Sequence, residues 1–130
     1  MPRIEHIAVW TENIERLADF YSTYFEASAG TPYANPEKSF ESLFLHFSDG
    51  ARIELMKSTT LSPASSTPGS HRLGWTHLAL AVGSEAQVDA LTERFRHDGY
   101  RIVDGPRRTG DGYYESVVLD PDGNRVEITA

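Results

Sequence analysis

The sequence predicts an α+β fold built from two copies of one half-length unit, each a strand, a helix and then two or three strands. Three observations predict it. Residues 122–128, DGNRVEI, repeat residues 49–55, DGARIEL, so that Glu127 falls 73 residues after Glu54. His77-Leu78-Ala79-Leu80 repeats His6-Ile7-Ala8-Val9, 71 residues on. One stretch of helical periodicity follows each histidine. A repeat at half the chain length marks a duplicated supersecondary unit, because a solenoid needs three or more shorter copies.

The elements follow in order. Residues 4–10 read as a strand whose alternation puts His6, Ala8 and Trp10 on one face and Ile7 and Val9 on the other. Asn13 is an N-cap candidate, and Ile14, Leu17, Phe20, Tyr21, Tyr24 and Phe25 then recur at helical spacing to form a wide apolar stripe. Residues 29–38 carry glycine, prolines and asparagine without periodicity and read as a loop. Residues 40–47 and 51–56 are strand-like, with Ser48-Asp49-Gly50 as the hairpin turn. Residues 58–72, rich in Ser, Thr and Pro, read as the connection between modules.

The second copy opens with a strand over residues 75–82. Ser84 and Gln87 stand at capping-box spacing, Val88, Leu91 and Phe95 make the helix stripe, and Gly99 stops it. Residues 100–104, 113–119 and 125–129 are three more strands, the last closed by a turn at Pro121-Asp122-Gly123. Arg107 and Arg108 fall in a loop on this reading. The whole is one domain, residues 1–130, with module 1 over about 1–57, a connection over about 58–73 and module 2 over about 74–130.

Composition narrows the partners. With 130 residues, 39% hydrophobic and 24% charged, the chain has the make-up of an ordinary soluble domain. A formal charge of −7 and a pI near 5.1 argue against nucleic-acid or anionic-membrane binding, which rely on dense Lys and Arg. A small-molecule partner is expected. The absence of cysteine excludes disulfides, thiolate metal ligation and thiol chemistry from this chain. The first ten residues place acidic and imidazole groups where a signal peptide needs an apolar core, so a cytoplasmic protein is the expectation.

The chemistry rests on His6, Glu54, His77 and Glu127. Strand alternation gives each glutamate the face opposite its aliphatic neighbours, and the duplication relates the two histidines and the two glutamates as pairs. Any one of the four has an ordinary structural explanation, but four ligand-type residues at equivalent positions form a pattern. If the modules pack about a pseudo-twofold axis, the pairs converge on one point. Two imidazoles and two carboxylates make a mixed nitrogen and oxygen site for one divalent ion, with zinc, nickel, cobalt, manganese and iron all compatible.

On these residues, and on the run TGDGYYESVVLDPDGNRVEI that ends the second copy, the chain resembles the vicinal oxygen chelate superfamily, which includes glyoxalase I, methylmalonyl-CoA epimerase, fosfomycin-resistance proteins, extradiol dioxygenases and bleomycin-resistance proteins. The resemblance implies two βαβββ modules forming a cupped mixed sheet with the helices packed outside. It places His6, Glu54, His77 and Glu127 where short bacterial glyoxalase I enzymes carry their metal ligands, whereas dioxygenases and fosfomycin enzymes use two His and one Glu. It implies a metal-dependent lyase or isomerase that acts on a small oxygenated substrate through a metal-stabilised enediolate, with Glu127 as base and Glu54 as its partner. Alternatives within the superfamily are an epimerase, a dioxygenase, a resistance-type transferase, or a ligand- or drug-binding protein without catalysis. One departure bears on the substrate: glyoxalase I enzymes place an arginine for the glutathione carboxylate shortly after the first histidine, and here Val9, Trp10 and Thr11 follow. Arg107, Arg108 and Tyr113 are the candidate substrate contacts. A homodimer is expected, since superfamily members of this length assemble their modules in pairs.

Overall fold

The computed structural model describes residues 1–62 and 73–130 and separates into two compact units, residues 1–63 and 64–130. The first contains β1 (His6–Trp10), α1 (Ile14–Phe25), β2 (Ser28–Ala29), β3 (Tyr33–Asn35), a 3₁₀ turn (Pro36–Lys38), β4 (Phe40–His46) and β5 (Arg52–Ser58). Its sheet runs β1-β5-β4-β2, with β3 also paired to β4; β1 and β5 are parallel and the other pairs antiparallel. The Asn13 side chain accepts from the Arg16 amide at 2.9 Å, capping α1 as its residue type predicts. Leu17, Phe20 and Tyr21 are buried on α1, and Leu43, Leu45, Ile53 and Leu55 are buried hydrophobic residues of the sheet. Since α1 packs on β4 and β5, these side chains form one helix-on-sheet seam.

The second unit contains β6 (Leu78–Ala81), α2 (Glu85–His97), β7 (Ile102–Arg108), β8 (Tyr114–Leu119) and β9 (Arg125–Thr129), with sheet order β6-β9-β8-β7 and β6 parallel to β9. Ser84 caps α2 by accepting from the Gln87 amide at 3.2 Å. The stripe differs from expectation at one place: Thr92, not Leu91, is fully buried with Val88 and Phe95. Its hydroxyl donates to the Val88 carbonyl at 2.6 Å and pairs with the Ser116 hydroxyl of β8 at 2.7 Å, so a polar group enters the seam fully satisfied.

The mixed sheet is thus hydrogen-bonded as two sheets, one to each module. The registers repeat: Ile7 faces Ile53 and Ala8 faces Glu54, as Leu78 faces Val126 and Ala79 faces Glu127. First strands repeat at 71 residues and last strands at 73, so two extra residues (73 − 71) lie between them in the second copy without disturbing that pairing.

Three expectations are corrected. The stretch read as a loop over residues 29–38 holds β3 and the 3₁₀ turn, and β2 ends at Ala29; strands of two or three residues are too short to show a period and exist through pairing with β4. Arg107 and Arg108 belong to β7, not to a loop. Pro106 and Gly105 conceal the strand, whose ladder with β8 shifts register between Asp104 and Arg107. Gly105 has φ +78, and a Cβ there would stand 2.5 Å from the Glu115 carbonyl, so only glycine lets β7 lie against β8. The histidines, expected near mid-strand, sit at the strand entrances instead: His6 opens β1 and His77 immediately precedes β6. The reason is the pairing level, because His6 faces Arg52, the first residue of β5, and β9 likewise begins at Arg125. The connection read over residues 58–72 lies largely outside the described residues; Ser58 itself ends β5.

Candidate metal centre

In the first unit His6, Arg52, Glu54 and Phe44 share the sheet face turned away from α1. His6 Nε2 stands 3.7 Å from Glu54 Oε1. On the other side of the ring, Nδ1 donates to the Glu5 carboxylate, which also takes the Arg52 guanidinium. The hydrogen bond from His6, followed by Arg52, holds the Glu5 carboxyl below the ordinary glutamate range. A carboxylate can only accept, so Nδ1 carries a proton, and Nε2 is the ring nitrogen turned toward Glu54. Phe44 meets the imidazole edge-on at 5.3 Å and lies under the Arg52 guanidinium at 4.1 Å.

The second unit repeats the pair: His77 Nε2 stands 3.3 Å from Glu127 Oε2. Both glutamates are largely buried, with 17% of the Glu54 side chain and 19% of the Glu127 side chain exposed. Two donors bound to one ion at about 2.1 Å each lie roughly 3.0–3.4 Å apart, so both pairs stand near the separation that shared ligation requires. Among the described residues no group of three or more His, Cys, Asp or Glu side chains is gathered for a metal ion; each unit offers its pair.

Around Glu127 the face turned away from α2 is charged. Val117 faces Glu127 and Glu115 faces Thr129 across β8 and β9, which sets Glu115 diagonally beside Glu127. The hydrogen bond to Glu127, reinforced by burial and by the neighbouring negative charge, pushes the Glu115 carboxyl up to about 7. Arg107 faces Glu115 from β7, and its Nε donates to Asp104 Oδ2 at 2.7 Å. That bond holds the Asp104 carboxyl down and raises the Arg107 guanidinium further.

The other two candidate contacts are placed differently. Arg108 pairs with Glu85 of α2 and lies 5.6 Å from the Tyr114 ring, whose hydroxyl donates to Asp89 at 2.5 Å. Arg108 and Tyr114 therefore lie on the helix side, away from Glu127. Tyr113 precedes β8, half-exposed, with its carbonyl and amide both bonded to Thr109. Sequence reasoning passed over Glu5, Asp104, Glu115 and Thr129. Adjacency to His6 could have flagged Glu5, while Glu115 and Thr129 need the β8–β9 register.

The model of the Glyoxalase/Bleomycin resistance protein/Dioxygenase superfamily matches residues 3–128. The chain belongs to this superfamily. Solved structures similar to this member include the trypanothione-dependent glyoxalase I of Leishmania major, at 20% identity and TM-score 0.77 over 99% of this chain and 86% of that one. Glyoxalase I from Zea mays matches at 21% identity and TM-score 0.77 over 98% of this chain and 44% of that one. A possible glyoxalase from Bacillus cereus matches at 21% identity and TM-score 0.71, covering 98% and 97%. At such identities the likeness is one of fold. Over 62 residues the chain is 40% identical to the uncharacterized protein YqjT of Bacillus subtilis (strain 168), covering 45% of this chain and 48% of that protein; the match spans about half of the curated relative's length. Among the described residues no helix of this superfamily member is long and apolar enough to cross a membrane.

Proposed function

We propose that this chain is a divalent-metal-dependent, glyoxalase-like lyase or isomerase of the superfamily, with His6, Glu54, His77 and Glu127 holding one ion. The observation that carries the reading is the recurrence of one His–Glu pair on the same sheet face in both units, with each glutamate facing an alanine of the first strand in the same register. Zinc, nickel, cobalt, manganese or iron suits such a donor set. The bound ion would act as a Lewis acid, stabilising the negative charge that develops on two adjacent substrate oxygens as a carbon-bound proton leaves.

The residues divide the remaining work. His6 and His77 present Nε2 as neutral donors. Glu127 would take the proton from the substrate carbon and return it to the adjacent one, a role open to a carboxylate that is not tightly bound to a cation, since a tightly bound carboxylate is a weak base. Glu54 remains as its partner. Arg107 borders the same face of the second unit as a substrate contact. The substrate is a small oxygenated molecule, and with Val9, Trp10 and Thr11 after His6 it need not be a glutathione adduct. A homodimer working in the cytoplasm belongs to the same reading.

Purified variants test the assignment by bound metal beside turnover on a panel of hemithioacetals and other α-oxygenated carbonyl compounds. Glu127→Gln keeps an oxygen ligand without the base, so metal content largely survives while turnover falls by roughly 10²- to 10⁴-fold. His6→Ala and His77→Ala empty the site. Full turnover in Glu127→Gln, or wild-type metal retention in His6→Ala, sinks the assignment. Light scattering at tens of micromolar reports the dimer, and a monomer mass there refutes it.

A further inference from the structure

On the face turned away from α2, the positions of Arg107, Glu115 and Thr129 follow one another across β7, β8 and β9, since Arg107 faces Glu115 and Glu115 faces Thr129. Thr129 lies two residues beyond Glu127 on the same strand and therefore on the same face. The residue is 9% exposed, and its hydroxyl makes no hydrogen bond among the described residues. A buried hydroxyl without a partner forgoes the bonds it would make to water, so it is an anomaly that a bound group would resolve. Opposite it stands the Glu115 carboxyl, whose hydrogen bond with Glu127 leaves oxygen lone pairs that can accept. The only cation of the row, Arg107, is already neutralised by Asp104 at 2.7 Å. The row thus offers hydrogen bonds without net positive charge, which suits a neutral polar group and disfavours a carboxylate or phosphate.

We propose that Glu115 and Thr129 are specificity-determining residues that receive a neutral hydroxyl of the substrate, so that the substrate class is a hydroxylated compound carrying a third oxygen beyond the two that reach the metal. This rests on the metal-centre reading above. The hydroxyl donates to Glu115 and accepts from Thr129 Oγ1, which completes the bonding of the buried threonine.

Two probes that differ by one hydroxyl test it on the zinc-loaded full chain: acetohydroxamate, which chelates through two adjacent oxygens, and glycolohydroxamate, which adds the hydroxyl. Titration calorimetry should show glycolohydroxamate binding roughly tenfold tighter, the gain expected from one hydrogen bond to a buried partner. Thr129→Val and Glu115→Ala should abolish that ratio, and Thr129→Ser, which restores the hydroxyl, should keep it. Zinc content of each variant reports that it is folded, and Glu115→Ala carries the test if the valine variant is not, a ratio that survives there overturning the assignment. Equal affinities for the two probes in the wild type, or a ratio that survives in Thr129→Val, overturns the hydroxyl assignment and leaves the metal centre standing. A chain that takes up no zinc, or that takes it up and binds neither hydroxamate, overturns the metal-centre reading and this inference together.

Discussion

The two units carry the same pairing register and the same His–Glu pair, yet they surround it with different chemistry. In the first, the face turned away from α1 is aromatic: Trp10 meets Phe40 edge-on at 6.3 Å, Tyr33 lies 6.2 Å from Phe40, and Phe44 meets His6 edge-on and lies under Arg52. In the second, the corresponding face carries Asp104, Arg107, Glu115 and Thr129. The seams under the helices differ as well, with Phe20 and Tyr21 buried in one and the Thr92–Ser116 hydroxyl pair in the other. What duplication has kept is the backbone level at which a histidine meets a glutamate; what has diverged is the set of side chains around that pair. A metal centre needs its donors in fixed geometry, whereas its surroundings are free to specialise.

The largest expected effect beyond the four ligands themselves probes an asymmetry between the pairs. Glu5 orients His6, while the residue before His77 is Thr76, which has no carboxylate. Glu5→Ala should therefore lower metal affinity by about 10- to 100-fold, as loss of a ligand-orienting carboxylate does, and Thr76→Ala should leave it unchanged. Competition against a chromophoric chelator measures both. Equal effects of the two substitutions would show that the two histidines are held alike.

The comparison also explains what was legible in the sequence. Strand, helix and strand order, both N-caps and the pairing of Glu54 with Glu127 followed from periodicity and repetition, because those signals are local or recur. The short strands β2 and β3, the strand character of Arg107 and the burial of Thr92 did not, since each depends on a partner distant in the chain. Glu115 shows the limit best. Read alone it is one acidic residue in an apolar run, and only the β8–β9 register sets it beside Glu127. The family resemblance and the repetition point to the same four residues, His6, Glu54, His77 and Glu127, because those positions recur while the residues around them do not.

A smaller effect is expected at the seam of the second unit. Thr92→Val removes the partner of the buried Ser116 hydroxyl and should destabilise the chain by about 1–3 kcal/mol, the cost of leaving one buried polar group unsatisfied. Adding Ser116→Ala removes the orphan and should recover much of that loss. Urea unfolding of the single and double variants measures the coupling, and strict additivity would mean that the two hydroxyls do not depend on each other. In the first unit the buried residues of α1 and those of β4 and β5 that face it are hydrophobic among the described residues, so the cycle is specific to the second seam.

The smallest effect concerns Asp104 and Arg107, and its sign follows from linkage. The Arg107 hydrogen bond depresses the folded-state pKa of Asp104 below its unfolded value, so the charged form is favoured on folding. The resulting stability is present above the unfolded pKa and is lost as pH falls through the folded one. Both side chains are about half exposed, with 51% and 44% of their surface accessible, so solvent and salt screen the pair strongly. Asp104→Asn should accordingly lower Tm by no more than roughly a degree or two at neutral pH, and the difference from wild type should shrink to nothing well below the aspartate range. Raising the salt concentration at neutral pH should narrow it too. Thermal melts of both proteins across that pH range decide it: a Tm difference that stays constant into acid would mean that Asp104 acts through packing rather than charge, and one that widens there would reverse the sign assigned to it.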